Sequence, residues 1–272
     1  VNVKYLSSIK NPELKRLRIL SQKSRERKKQ FLFVIEGLRE LKKALAGGYN
    51  VCSLFIEEKY ELEFENITQT LFKSDQYLVS NKVFEQISFR SGSEKIIAIA
   101  ESKQHRLDSF ILKKNALILV IEAPEKPGNI GALYRTAAAA KFDGVILANP
   151  KTDLYNPNSI RSSLGCLFLL QTAIASSDEV IEYLKEKEVF IATAAIDLDA
   201  VNYNQFDYKT PCAIVMGNES NGLNTNWLKA SHQNLIIPMS KDVDSLNLSV
   251  SAGILMYEAK AKKIERQKQK NL

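Results

Sequence analysis

Ala116-Leu-Ile-Leu-Val-Ile121 followed by Asn129-Ile-Gly-Ala-Leu-Tyr-Arg135 decides the fold of this chain. An unbroken apolar run leaves no face for water, so residues 116–121 read as a strand buried on both sides of a parallel sheet. The second segment reads as a helix start. Asn129 stands at the expected N-cap, behind a loop carrying Pro124 and Pro127. Gly131 and Arg135, four residues apart, share one helix face. Such a junction, beyond the carboxyl end of a strand, is where α/β proteins hold ligands. The free N–H groups of a helix start also suit an anion.

Working outward, similar apolar runs recur at 144–148, 189–195, 212–216 and 235–237, separated by helical patterns at 131–141, 178–187 and 225–231. This alternation predicts an α/β fold, a parallel sheet with helices on both faces. A last helix is expected over 247–266. Upstream, residues 12–29 read as one basic helix with Leu14, Leu17 and Leu20 at near-helical steps. A β-rich run at 31–35 leads through Glu36-Gly37 to an amphipathic helix that stops at Gly47-Gly48, and strands are expected at 51–56, 78–79 and 96–100. The resulting plan is a smaller α/β domain over 1–105, a polar linker over 106–115, and a second domain over 116–272 with a basic tail.

Hydrophobic residues make up 45% and charged residues 25%, the proportions of a soluble globular protein. No apolar run is long enough for a membrane helix, and the first residues lack a secretory signal's apolar stretch. Cys52, Cys166 and Cys212, odd in number and widely spaced, argue for a reducing cytoplasm rather than a disulfide framework. The net charge of +7 is unevenly placed. Nine basic and two acidic side chains lie between Lys10 and Lys29, six and one between Lys260 and Lys270, so the body between them is net acidic. Two basic ends around such a body suit a polyanion, although solvated lysine-rich helix faces look the same in sequence.

Two further segments resemble the first in setting. Gly217-Asn-Glu-Ser-Asn-Gly222 follows an apolar run and has P-loop glycine spacing, yet Leu223 and Asn224 stand where Lys and Ser or Thr are required. What remains is a main-chain-rich turn presenting Glu219. Ile237-Pro-Met239 ends the last strand and leads to Ser245-Leu-Asn-Leu-Ser249, where capping of the final helix suits at least one of Ser245 and Asn247. Taken singly, each segment also fits an ordinary structural role: a capped helix, a glycine-rich connection, a polar cap. His105 and His232 lack partners at metal-ligand spacing, so no metal is expected. No dinucleotide fingerprint and no nucleophile elbow is present.

Jointly, in this order, Asn129…Gly131…Arg135, Gly217-Asn-Glu219…Gly222-Leu223 and Ile237-Pro-Met239…Ser245-Leu-Asn247-Leu-Ser249 resemble the SpoU (TrmH-like) RNA 2′-O-methyltransferases of the SPOUT superfamily. The resemblance runs from about Leu117 to Ala259. Upstream, Asn11-Pro-x-x-Lys15, the stretch from Arg25 to Lys29, and Phe33-Val-Ile-Glu-Gly37 are similar to that family's amino-terminal substrate-binding domain.

The resemblance implies a SPOUT catalytic domain with a carboxyl-terminal trefoil knot, which pattern reading alone does not offer. It also implies a homodimer, with S-adenosyl-L-methionine as methyl donor. Gly217, Ile237 and Leu246, with Met239 and Ser245 beside them, are the implied donor contacts. Asn129, Arg135, Glu219 and Asn247 are the implied catalytic cluster. RNA, ribosomal in the first instance, is the implied partner, with Arg25, Arg27, Lys28 and Arg161 as its contacts. The chain departs from the family where Glu125-Lys-Pro127-Gly replaces a frequent Asp-Pro, and where Leu164 and Cys166 replace smaller residues. These changes bear on substrate shape. A transfer-RNA methyltransferase, a non-catalytic RNA-binding relative and an α/β enzyme using another nucleotide stand as alternatives.

Overall fold

The computed structural model describes residues 3–89, 94–195 and 199–269. Residues 270–272, the end of the expected basic tail, lie outside the described residues. The chain divides into two compact units: Val1–Gln104 with Asp153–Leu169, and His105–Thr152 with Leu170–Leu272.

The first unit runs β1 (Lys4–Leu6), α1 (Pro12–Gln22), α2 (Ser24–Gln30), β2 (Leu32–Glu36), α3 (Leu38–Ala46), β3 (Val51–Glu57), α4 (Glu65–Thr70), β4 (Asp75–Val79), α5 (Asn81–Ile87) and β5 (Ile96–Glu101). Its mixed sheet has the order β1-β4-β3-β5-β2. Asn11 caps α1 by accepting from the Glu13 N–H at 2.9 Å, and Pro12 opens the helix with its φ already set. Leu14, Leu17 and Leu20 are fully buried, as their spacing demands.

The expected single helix over 12–29 is in fact two, because Lys23 takes an extended conformation between α1 and α2. The turn has a purpose visible in Arg27. This residue folds back so that its guanidinium donates to the carbonyls of Leu20 (2.7 Å) and Ser21 (3.3 Å), end groups that α1 cannot satisfy itself. Its Nε pairs with Asp153 Oδ2 at 2.6 Å, and both side chains are buried.

Asp153–Leu169, expected in the second domain, clusters with the first unit instead. The physical reason is aromatic. Tyr155 stacks on Phe33 at 4.2 Å between centroids, Phe168 lies 5.7 Å from the same ring, and Tyr49 meets both Tyr155 and Phe168 edge-on. Lys43 Nζ donates to the Leu164 carbonyl at 2.8 Å. Offset and T-shaped ring pairs of this type add to the burial term that already favours them.

The second unit contains β6 (Leu117–Glu122), α6 (Pro127–Ala140), β7 (Gly144–Ala148), β8 (Gln171–Ala175), α8 (Ser177–Glu186), β9 (Phe190–Ala194), β10 (Val201–Asn202), β11 (Cys212–Met216), α9 (Thr225–Ala230), β12 (Gln233–Ile236) and α10 (Leu248–Gln269); α7 (Pro157–Ser162) falls in the segment that joins the first unit. The sheet order is β10-β12-β9-β11-β6-β7-β8, and every pairing in it is parallel. Alternate residues Ile118, Val120, Ala213 and Val215 meet α8 and α9 through Val180, Leu184 and Trp227. The other face is covered by α6 and α10, which pack on one another and reach β7 and β11.

Two expectations need correction here, and one strand was not foreseen. The stretch over 106–115 is no linker: Phe110 is buried in the core of this unit, and the Gln171 side chain bonds both the N–H (3.0 Å) and the carbonyl (2.7 Å) of Ile111. Helix α6 starts at Pro127 with Lys126 as its cap residue, so Asn129 lies inside the first turn rather than at the N-cap. Proline at N1 explains the earlier start, since it lacks the N–H that would go unpaired. Strand β8 escaped the pattern altogether.

Candidate functional site

The carboxyl ends of β9, β11 and β12 open into a cleft of about 610 Å³ in the second unit. That size suits a ligand of nucleoside dimensions. Gly217, Glu219, Ile237, Met239, Ser245, Leu246 and Asn247 all line it, so the second and third sequence motifs converge on one space.

Glycine is required at 217 by close approach. A Cβ built there would lie 2.5 Å from the Gly222 carbonyl carbon and 2.8 Å from the Leu223 nitrogen, both main-chain atoms that cannot swing aside. Asn218 ties the turn. Its side chain donates to the Ala123 carbonyl at 2.7 Å and accepts from the Ser220 N–H at 2.8 Å, while Asn218 and Gly222 exchange two backbone bonds. Gly222 has a φ of 65°, the left-handed region that closes the turn.

The first motif reaches this turn through one bond: the Asn129 side-chain amide donates to Glu219 Oε1. The other oxygen, Oε2, is buried without a hydrogen-bond partner. A buried carboxylate oxygen left unpaired is costly, and a donor supplied by a ligand would satisfy it. Asn247 caps α10: its Oδ1 accepts from the Ser249 N–H at 2.9 Å and the Ser249 hydroxyl at 2.6 Å. Asn247 is therefore the capping residue of the third motif, and Ser245 lies exposed on the cleft.

Arg135 is not brought to the cleft lining. It is exposed on α6, two turns beyond Asn129, and makes no hydrogen bond or ion pair among the described residues. In the first unit, Arg25 and Lys28 are exposed, and the Arg161 guanidinium lies 5.7 Å from the centre of the Phe89 ring. Arg27 must be withdrawn as an RNA contact. It is 4% exposed and spent on α1 and Asp153.

Several neighbours of the site were missed in the sequence. Ala194 and Ala195 line the cleft at the end of β9, where the rule that ligands sit beyond strand ends would have found them. Glu122, at the end of β6, is buried and accepts from Trp227 Nε1 at 2.7 Å and the Ser177 hydroxyl at 2.5 Å, anchoring α9 and α8 to the same sheet edge. An acid ending an apolar run was the signal. Among the described residues, no group of three or more His, Cys, Asp or Glu could hold a metal ion, and no helix is long and apolar enough to cross a membrane.

A parallel sheet with a main-chain-lined cleft at its carboxyl edge, where the second and third motifs meet and the Asn129–Glu219 bond ties in the first, places the chain among α/β proteins with a ligand site beyond their strand ends. The chain belongs to the SpoU rRNA methylase family, whose model it matches over residues 116–257, and residues 11–98 match the MRM3-like substrate binding domain. It is 26% identical over 255 residues to the 23S rRNA (guanosine(2553)-2′-O)-methyltransferase RlmP of Bacillus subtilis, covering 94% of this chain and 98% of that one. It is 30% identical over 198 residues to the 23S rRNA (guanosine-2′-O-)-methyltransferase RlmB of Shewanella oneidensis, covering 69% and 78%. Among solved structures, the AdoMet-bound rRNA methyltransferase of Sinorhizobium meliloti superposes with a TM-score of 0.88 at 27% identity, covering 95% of this chain and 98% of that one.

Proposed function

We infer that this protein transfers a methyl group from S-adenosyl-L-methionine to a ribose 2′-hydroxyl of ribosomal RNA, a cytoplasmic substrate, rather than of transfer RNA. The observation that carries this reading is the convergence of Gly217, Glu219, Ile237, Leu246 and Asn247 on one cleft, with Asn129 bonded to Glu219. The residues present fit the donor. Apolar Ile237, Met239 and Leu246 suit an adenine, main chain at Gly217 can be approached closely, and the unpaired Glu219 oxygen suits a hydroxyl or ammonium donor. S-adenosyl-L-methionine supplies a methyl group already activated on a sulfonium.

What the chain must add is orientation and relief of the hydroxyl proton, and orientation alone can supply much of the acceleration. Guanidinium is not deprotonated in proteins, so Arg135, which stands outside the cleft lining, is assigned to grip an RNA phosphate, not to act as base. Exposed, and with no hydrogen bond or ion pair among the described residues, its fork is free for RNA. Glu219 and Asn129 hold the sugar side of the cleft, and Asn247 offers its amide while its oxygen caps α10.

The amino-terminal unit binds the RNA through Arg25, Lys28 and Arg161. The sheet order, with β11 inserted between β9 and β6, and the return of residues 237–247 to the same cleft support a trefoil knot. Val250, Tyr257 and Ile264, exposed by 51%, 49% and 42%, recur every seven residues along α10 and support a homodimer that covers them.

The test is transfer of labelled methyl to ribosomal RNA from a strain lacking the protein. The product linkage should resist alkali, because a methylated 2′-oxygen cannot attack its phosphate. Labelling of transfer RNA alone, or of a base, overturns the reading.

A further inference from the structure

Phe31 is an aromatic side chain that the fold leaves largely in solvent. It ends α2 with a φ of 55°, in the left-handed region, where helices usually end in glycine and bulky residues are outliers. Its backbone is needed there: its N–H donates to the Arg27 carbonyl, and its own carbonyl accepts from the Ser102 N–H at 2.8 Å. The ring is not, since the residue is 62% exposed. Two other exposed rings of this unit, Phe72 and Phe89, carry cations, with Lys73 and Arg161 each 5.7 Å from the ring centre. Among the described residues, no ring or cation packs on Phe31.

Its surroundings are mainly positive, although Glu26 accepts from Gln30 at 3.2 Å and exposed Glu101 pairs with the next residue, Leu32. Arg25, Lys28 and Lys29 are exposed on the helix that Phe31 terminates, and exposed Arg16 reaches Gln30, the residue before it, at 3.3 Å. Cationic side chains track a phosphate backbone, and a bare aromatic face among them takes a base by stacking. A paired duplex keeps its base faces covered, so the surface suits an unpaired nucleotide.

We propose that Phe31 is a stacking platform for one unpaired nucleobase of the RNA, beside a backbone track formed by Arg25, Lys28 and Lys29. This rests on the reading that the amino-terminal unit binds RNA. It adds that the bound segment is a loop, bulge or single strand, and names the residue that selects it.

The experiment compares the full chain and its F31G, F31W and K28A/K29A variants. Each is tested on a single-stranded RNA with one 2-aminopurine and on a duplex of the same length, by anisotropy and base fluorescence. Loss of one base stack should weaken F31G on the single strand by roughly 5- to 150-fold, with loss of 2-aminopurine quenching. Duplex binding should be unchanged, F31W should behave like the unaltered protein, and F31G should melt no lower, because glycine suits the left-handed position. If F31G binds the single strand normally while K28A/K29A does not, the RNA reading stands and the platform falls. Equal weakening on both RNAs makes Phe31 a structural residue and overturns the proposal. Absence of salt-dependent RNA binding by the unaltered chain removes both.

Discussion

Asn129 donates its side-chain amide to Glu219, joining the first turn of α6 to the turn after β11 across 90 residues of sequence. With the second Glu219 oxygen unpaired, the two side chains behave as one device: the amide fixes the carboxylate, and the carboxylate keeps an acceptor free. N129A should lower kcat about 100-fold, the scale expected when a positioning group is lost, while donor affinity stays near normal. E219Q should be no milder, and N129A/E219Q no worse than the weaker single variant. Single-turnover methyl transfer measures this. Strictly additive losses would show that the bond is incidental.

Gly217→Ala should act through the main chain. The added carbon lies 2.5 Å from the Gly222 carbonyl carbon, so the turn must shift. Overpacking of this kind costs about 1–3 kcal/mol. Calorimetry should show weaker S-adenosyl-L-methionine binding together with a lower melting temperature. Unchanged donor affinity would mean that this turn does not shape the donor site.

Arg27 and Lys28 are neighbours with opposite expected phenotypes. Arg27→Ala strands the buried Asp153 and should destabilise the protein by about 3–5 kcal/mol in urea unfolding, with the salt slope of RNA binding unaltered. Lys28→Ala should leave stability alone and reduce that slope by about 1. An Arg27→Ala variant of normal stability with weakened RNA binding would restore Arg27 as a contact.

Arg135→Ala should abolish turnover with donor binding intact, and Arg135→Lys should recover little, since lysine lacks the planar fork. Near-normal methylation by Arg135→Ala removes this residue from the chemistry.

Cys212 is fully buried, and burial pushes its thiol up to about 12. At pH 8 almost none of it is thiolate, which is the form that reacts. A thiol reagent at that pH should leave Cys212 unmodified in the native protein and modify it in urea. Mass mapping of rapid native labelling at Cys212 would contradict the packing described for β11.

Strands on the central part of the large sheet were legible because burial on both faces writes an unbroken apolar run: residues 144–148 and 212–216 were bounded as observed. Strand β8, Gln171–Ala175, has Ile174 36% exposed and no such run, and so gave no signal. The cleft was legible through its glycines, amides and proline. The first motif's share in it was not, because only tertiary structure shows that Asn129 reaches Glu219 while Arg135 stands apart. Composition misled at Arg27. A basic residue in a basic helix looks solvated, and nothing local reveals a partner 126 residues away.

The recruitment of Asp153–Leu169 to the amino-terminal unit bears on synthesis. Chains leave the ribosome from the amino end, so when Gln104 has emerged, Phe33 still lacks Tyr155 and Phe168, and Arg27 still lacks Asp153. The early half must therefore wait, incompletely closed, until β6, α6 and β7 have been made. A fragment cut at the apparent domain boundary would inherit that unfinished state permanently, with an uncompensated guanidinium and a bare aromatic floor as its weak points.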